Sequence, residues 1–316
     1  MPHKIGILYG MERSFPPALA AEIGRRSGGA VAAEPVRLGP LRQDAPPRYD
    51  LIVDRISHEV PFYRTFLKTE AAKGVQVVNN PFWWSTDDKF LDNVLAEQAG
   101  VAVPRTVLLP HKKHPPNTSS ETFTNLEYPL NWDSVFEYLG FPIFLKPADG
   151  GGWRDVYKVH DPGEFFAAYD LTHSLCMMAQ EAIEFTEYYR CYCLGRERVR
   201  IMRYDPRMPF ERRYVRDAGP GDPELLKRIE RDCLALCEAL GYDFDTLEFA
   251  VRDGIPIAID FMNPAPDCDL FSVGEDNFAW VLQNASEFLI DRVQHPRPFE
   301  LSGRWTERLR RAPSTR

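Results

Sequence analysis

A chain of 316 residues, 44% hydrophobic, 27% charged and 12% aromatic, has room for two domains or one lobed domain, and its ordinary globular composition excludes disorder, collagen and coiled coil. Its 38 basic and 46 acidic side chains leave a net charge of −8, which argues against a general nucleic-acid surface but is compatible with a local basic pocket for a small anion. No run reaches the ~18 apolar residues that span a bilayer, and the apolar run in MPHKIGILYG is too short for a signal peptide, so the expectation is a cytoplasmic protein with neither a nucleic-acid nor a membrane partner.

The opening residues Lys4–Tyr9 read as a strand, Ala18–Arg26 as a helix and Val31–Leu38 as a second strand. Tyr49–Asp54 is a third strand, with the continuous apolar run of one covered on both faces. Pro61–Lys73 reads as a helix stopped by Gly74, and Val75–Asn80 as another strand. This alternation predicts a parallel sheet wrapped by helices. The stretch WWSTDDKFLDNVLAEQAG is a helix: Ser85 or Thr86 caps it, Asp87 and Asp88 suit its positive N-terminus, Leu91, Val94 and Leu95 form the buried stripe, and Gly100 ends it.

VAVPRTVLLP is then a strand opening a new unit, followed by a polar, Pro-rich loop over 111–132 of the kind that often carries function. After a short helix over Asp133–Leu139 come the strand FPIFLKP, the loop ADGGGWRD, the strand VYKV, a capped helix in DPGEFFAAYD and a strand over Cys176–Ala182. Tyr188–Leu194 and Arg198–Tyr204 form an antiparallel pair, Pro223–Leu240 a long helix, Leu247–Arg252 and Ile255–Asp260 a hairpin around Asp253-Gly254, and Phe278–Val293 the last helix. Four units follow: an N-terminal α/β substrate lobe over 1–85, α+β lobes over 86–180 and 181–300, and a flexible basic tail over 301–316. The six cysteines repeat no CxxC spacing and have no His cluster beside them, so they are expected as buried free thiols rather than a disulfide framework or zinc site.

Four segments carry chemistry. Asp87-Asp88-Lys89 opens a helix, where a Lys reaches a phosphate or is simply a solvated charge. In FLKPADGGGWRDV, Lys146 ends an apolar strand and three glycines follow, so that backbone N–H groups can approach phosphate oxygens unobstructed. The plainer alternative is a glycine hairpin loop beside a snorkelling Lys; the spacing is neither a Walker A loop nor a dinucleotide fingerprint. In AQEAIEFTEYYR a strand ends at Gln180-Glu181, with Glu184, Glu187 and Arg190 beyond, which is either an adenine- and ribose-reading edge or a set of surface acids. In YDFDTLEFAVRDGIPIAIDFMNPAPD, Glu248 and Asp260 sit on paired strands with Asn263 just past them. Carboxylates inside apolar strands are costly unless paired with cations, so the hairpin is either a hard-oxygen Mg²⁺ site or a structural ion pair with Arg190, Arg200 or Arg203.

Taken together and in this order, the four segments resemble the ATP-grasp superfamily, in particular its carboxylate–amine ligase branch of glutathione-synthetase-like and ribosomal-protein-glutamylating ligases. The resemblance runs from the N-terminal lobe through Pro266. It implies an α/β plus α+β architecture: a parallel N-terminal lobe and two α+β lobes enclosing ATP. It further implies that Lys89 and Lys146 contact the phosphates, under a lid over 149–155 that includes Gly150, Gly151 and Gly152. Gln180, Glu181 and Ile183 would form the adenine hinge and Glu187 the ribose acid. Arg190 and Arg203 would lie near the γ-phosphate and acyl phosphate, Glu248, Asp260 and Asn263 would hold Mg²⁺ (two ions, with Mn²⁺ as alternative), and Arg55, Ser57 and His58 would meet the acceptor substrate.

The sequence departs from that pattern in three ways. Asp260 and Asn263 are three apart rather than two, which requires a bulge or replacement of one ligand by Asp267 or Asp269. Asp260 stands where the family often has Glu, and the lid carries Trp153 and Asp155 where it usually has glycines. The implied activity is an ADP-forming ligase joining a small-molecule or peptide carboxylate to an amine or thiol through an acyl phosphate. The alternatives are a small-molecule kinase with the same ATP site, and a regulatory nucleotide binder without turnover. The family often forms homo-oligomers, and the sequence does not decide that state.

Overall fold

The computed structural model describes residues 2–58, 60–82, 88–216, 219 and 221–297; the expected tail over 301–316 and the residues Ser85, Thr86 and Asp87 lie outside them. The N-terminal lobe is a parallel sheet in the order β2-β1-β3-β4, made of β1 (His3–Leu8), β2 (Val31–Pro35), β3 (Leu51–Asp54) and β4 (Gln76–Val78). Helices α1 (Phe15–Arg26) and α2 (Pro61–Ala72) flank it. Leu51, Ile52 and Val53 are wholly buried, the signature of a strand covered on both faces.

Next come α3 (Lys89–Gln98), β5 (Thr106–Leu109), α4 (Trp132–Leu139), β6 (Ile143–Pro147), β7 (Tyr157–Val159), α5 (Pro162–Leu171) and β8 (Met177–Glu181). Their strands form an antiparallel sheet in the order β5-β8-β6-β7. It has its own core, in which Ile143 and Leu145 pack with Phe165, Tyr169, Met177 and Ala179. The alternate residues of β6, Phe144 and Lys146, therefore face the other way.

The third sheet has the order β10-β9-β11-β12, from β9 (Glu187–Leu194), β10 (Arg198–Arg203), β11 (Phe244–Arg252) and β12 (Ile255–Asp260), with α6 (Pro223–Leu240) between β10 and β11. Asp222 caps α6, with Pro223 in its first turn, and Gly241 ends it in the left-handed conformation at φ 76°. Its buried face, Leu225, Ile229, Cys233, Leu236, Cys237 and Leu240, covers one side of the sheet, each large apolar side chain contributing roughly 1.5–3 kcal/mol. The chain ends in α7 (Leu270–Val273) and α8 (Glu275–Gln294). Helix α8 packs on α1, so the N-terminal lobe and the third sheet share one core containing Ile5, Phe15, Leu19, Tyr192, Phe244 and Phe288.

Two expectations change. Helix α3 was assigned to the middle lobe, but Leu95 and Ala96 pack with α6 in the core of the third sheet. Its buried face is Asp92, Asn93, Leu95 and Ala96, while Leu91 and Val94 are each more than a third exposed. All six cysteines are free and five are buried, as expected. No helix among the described residues is long and apolar enough to cross a membrane.

Candidate functional site

The second and third sheets face each other across a cavity of about 500 Å³. The strand period of two decides what lines it. From β6 come Phe144 and Lys146, from β8 Gln180, from β11 Glu248 and Ala250, and from β12 Ile259 and Asp260. Lys89 reaches it from the first turn of α3, whose cap is the Asp88 side chain accepting from the Leu91 N–H at 3.0 Å, while the Lys89 N–H donates to the Ala148 carbonyl at 3.0 Å. The loop after β6 closes one side with Gly151, Gly152, Trp153 and Arg154, and the residues after β8 close another with Ala182, Ile183, Glu184 and Phe185.

The cavity has a charged end, where Lys146 feels Asp260, Lys89 and Glu248, and walls that are mostly apolar. At the charged end, Glu248 and Asp260 stand directly opposite each other across the hairpin. The register shifts there: Phe249 pairs with Ala258 and Glu248 with Asp260, so Ile259 is an extra residue. This β-bulge turns both Ile259 and Asp260 into the cavity. Burial pushes the Glu248 carboxyl up, Asp260 adds to that, and Arg190 and the Tyr188 hydroxyl oppose it. Tyr188 donates to Glu248 at 2.6 Å, and Arg190 approaches its other oxygen at 3.5 Å. Burial pushes Lys146 down to about 8; Asp260 and Glu248 oppose the shift and Lys89 adds to it. Phe144, Ile183, Phe185, Ala250 and Ile259 give the cavity apolar walls, with Lys158 over the Phe144 ring at 5.9 Å and the Arg207 guanidinium over the Phe185 ring at 4.5 Å.

Of the residues expected at this site, Lys89, Lys146, Gly151, Gly152, Gln180, Glu181, Ile183, Glu248 and Asp260 come together around the cavity. Gly150 lies in the same loop but outside the lining. The Glu181 carboxylate is bound by Arg105 at 3.1 Å and Arg252 at 2.6 Å, so its backbone, not its side chain, is what the hinge can offer. Arg190 lies on the same face of the sheet but outside the lining: it approaches Glu248 at 3.5 Å and the Tyr204 hydroxyl at 3.4 Å.

Glu187 and Arg203 are corrected. Along β9, Tyr188 and Arg190 face the cavity side, which turns Glu187 and Tyr189 to the α6 side. There Glu187 pairs with Arg203, whose guanidinium lies over the Tyr189 ring at 4.6 Å. Glu184, exposed in the loop after β8, also lines the cavity near the hinge, and among the described residues its carboxylate, unlike that of Glu181, has no Arg partner.

Asn263 is corrected as well. Strand β12 ends at Asp260, the Asn263 N–H donates to Asp245 at 2.7 Å, and its side-chain oxygen accepts from Ala265 at 3.2 Å. The substitutes Asp267 and Asp269 are taken up at α7: Asp267 accepts from Ser272 at 2.5 Å and Asp269 from Ser14 at 2.8 Å.

Arg55, Ser57 and His58 also lie away from the cavity. The Arg55 side chain is 1% exposed, donates to Glu12 at 2.7 and 2.5 Å and to the Pro266 carbonyl at 2.5 Å, and so joins two lobes. Ser57 is buried and donates to Asp54, and His58 is half-buried next to it. Phe144, Tyr188, Lys158 and Arg207 line the cavity without a local signal in the sequence, whereas Glu184 belongs to the acidic segment already singled out beside the adenine edge.

The carboxylate pair tests the expected Mg²⁺. Among the described residues no group of three or more His, Cys, Asp or Glu side chains could hold an ion. Two hard-oxygen donors beside two lysines suit an ion that keeps its remaining positions for phosphate and water, as Mg²⁺ does. The residues therefore fit it, as a ligand-completed site.

No protein-family model matches the chain. Among curated proteins, the D-alanine–D-alanine ligase of Dechloromonas aromatica (strain RCB) is 30% identical over 135 residues, 41% of this chain and 39% of that protein. The ligase of the same name from Nitrosospira multiformis is 29% identical over 102 residues, 32% of this chain and 28% of that one. The chain thus matches two fifths or less of the length of these relatives. Solved structures cover much more. The VanG D-Ala:D-Ser ligase from Enterococcus faecalis superposes with a TM-score of 0.64 at 15% identity, over 93% of this chain and 99% of that one. The RimK domain ATP-grasp protein from Sphaerobacter thermophilus gives 0.65 at 17% identity, over 92% and 99%. The D-alanine–D-alanine ligase from Bacillus anthracis complexed with ATP gives 0.64 at 16% identity, over 93% and 99%. A likeness of that extent at so low an identity is one of architecture: the chain has the ATP-grasp fold.

Proposed function

We propose that the chain is an ATP-dependent ligase that joins a small carboxylate to an amine. The observation that carries this is the charged end of the cavity, where Lys146 and Lys89 share one space with the paired Glu248 and Asp260. A substrate carboxylate oxygen attacks the γ-phosphorus in line, the bond to the β-phosphate oxygen breaks, and ADP leaves. The amine nitrogen then attacks the acyl carbon of the acyl phosphate, the carbon–oxygen bond to phosphate breaks, and phosphate leaves with the proton that the nitrogen gives up. Such chemistry is mostly positioning and electrostatics. Lys146 and Lys89 supply fixed positive charge beside the phosphates, in a site partly closed from water. Glu248 and Asp260 would hold Mg²⁺, which neutralises phosphate charge when bound. Phe144, Ile183 and Phe185 suit the base, the backbone at Glu181–Ile183 its edge, and Glu184 the ribose hydroxyls. The D-Ala ligase relatives support amino acids as the substrate class.

Titration calorimetry with a non-hydrolysable ATP analogue, with and without Mg²⁺, tests this. Micromolar affinity that needs Mg²⁺ and falls at least tenfold in a Glu248→Gln/Asp260→Asn variant is expected. No binding to the wild type under either condition refutes it. Binding without any ADP release across a panel of carboxylate and amine pairs would favour the regulatory binder, a reading to which Trp153 and Asp155 in the lid lend some weight.

A further inference from the structure

The lid over 149–155 is built unusually. Gly150 and Gly152 have φ of 79° and 73°, the left-handed region in which glycine carries no steric cost. Trp153 and Asp155 occupy the same region at φ 60° and 56°. A bulky side chain there is a backbone outlier, and such residues persist where the surroundings or the function require them. Glycine would relieve position 153, and the preceding three positions already are glycine. The indole is nevertheless present, 62% exposed, and it lines the nucleotide cavity. It is the lone aromatic side chain between Ala148 and Val156. Among the described residues the indole has no ring or polar contact, and burying such an apolar surface against a ligand is favourable.

We propose that Trp153 is a positioning residue that covers the bound nucleotide. When the lid closes, the indole packs on the ligand and shuts water out of the charged end of the cavity, where Lys146, Glu248 and Asp260 lie. Excluding water strengthens every electrostatic contact inside and protects a reactive acyl phosphate from hydrolysis. The side chain thus contributes to the ligand-bound form, and a left-handed backbone is kept for its sake. This inference rests on nucleotide binding and holds for a ligase or a regulatory binder alike.

Three variants separate ring from backbone. Trp153→Phe keeps an aromatic face, Trp153→Ala removes it while leaving a Cβ at the left-handed position, and Trp153→Gly removes both ring and strain. Titration with the ATP analogue and Mg²⁺ is expected to show affinity within about threefold of wild type for Phe, and at least tenfold weaker for both Ala and Gly. The free Gly variant should melt no lower than wild type. Tryptophan emission should shift to the blue when the analogue binds wild type, and that shift should vanish in Trp153→Phe. Wild-type affinity in Trp153→Ala, or a loss confined to Trp153→Gly, overturns the role of the indole while leaving the ATP site standing. Absence of binding to the wild type removes the ATP reading, and the cover with it.

Discussion

At the scale of single residues, Lys146 is the group whose behaviour the cavity controls most. Burial holds its ammonium at about 8, against an ordinary 10.5. Below pH 8 it is charged in both folded and unfolded chains. Between about 8 and 10.5 the unfolded chain binds more protons, so this group's contribution to stability rises with pH in that window. Nucleotide affinity should move the other way. As pH rises through 8 the free site loses a charge, affinity falls, and binding at about pH 9 takes up a proton. Calorimetry in buffers of different ionisation enthalpy reads that proton; Lys146→Met should abolish the uptake, and uptake that persists would assign it to another group. Lys146→Ala should lower turnover by about 100-fold or more, the usual consequence of losing a fixed charge beside the reacting group. Lys146 was legible because a charge at the end of an apolar strand is out of place. Glu187 and Arg203 were misread because YYRCYC and RVRIMR carry polar or aromatic residues on both faces, so neither strand reveals its phase. Only pairing with the neighbours showed that the two residues point to α6 together.

At the scale of elements, α3 shows how a helix start becomes part of a site. Its first residue is Lys89, and the Asp88 cap holds that turn. Asp88→Ala should cost about 1 kcal/mol of stability and weaken analogue binding less than Lys89→Ala does, since it loosens the lysine rather than removing it. Chemical denaturation and titration of the two variants check this; equal losses of affinity would mean that Asp88 meets the ligand itself. Most elements were legible from caps and periodicity, because Asp222-Pro223 and Gly241 are local signals. The bulge at Ile259 was not. The sequence showed an acid and an amide three apart and called for an irregularity between them, but it lies before Asp260, where pairing with β11 rather than any local signal sets it. The stripe on α3 failed for a related reason: periodicity marks a face as buried without naming what covers it. The neighbour is α6, which selects Leu95 and Ala96 over Leu91 and Val94.

At the scale of the whole molecule, the packing divides the chain unevenly. The N-terminal lobe and the third sheet share a core, while the middle sheet keeps its own. Polar contacts reinforce the shared side. Asn79 accepts from the Asp243 and Phe244 N–H groups and donates to the Phe244 carbonyl, all at 2.8 Å. Arg55 joins Glu12 to the Pro266 carbonyl, with the Phe15 and Phe244 rings at 4.9 and 5.5 Å from its guanidinium. The resemblance places the acceptor substrate at this strand end and so at Arg55; long-range packing that no local pattern encodes uses the residue instead as a clamp. Arg55→Met would leave Glu12 and the Pro266 carbonyl without their partner, at a cost of about 3–5 kcal/mol. If the shared core is one cooperative unit, that loss should fall unevenly. Native-state hydrogen exchange should show β1, α1 and α8 losing protection together, while β6 and β8 keep theirs. An equal loss across all three sheets would make the chain a single cooperative unit. The uneven result would mark the middle sheet, with its own core around Ile143, Leu145 and Phe165, as a unit whose stability does not depend on the Arg55 clamp.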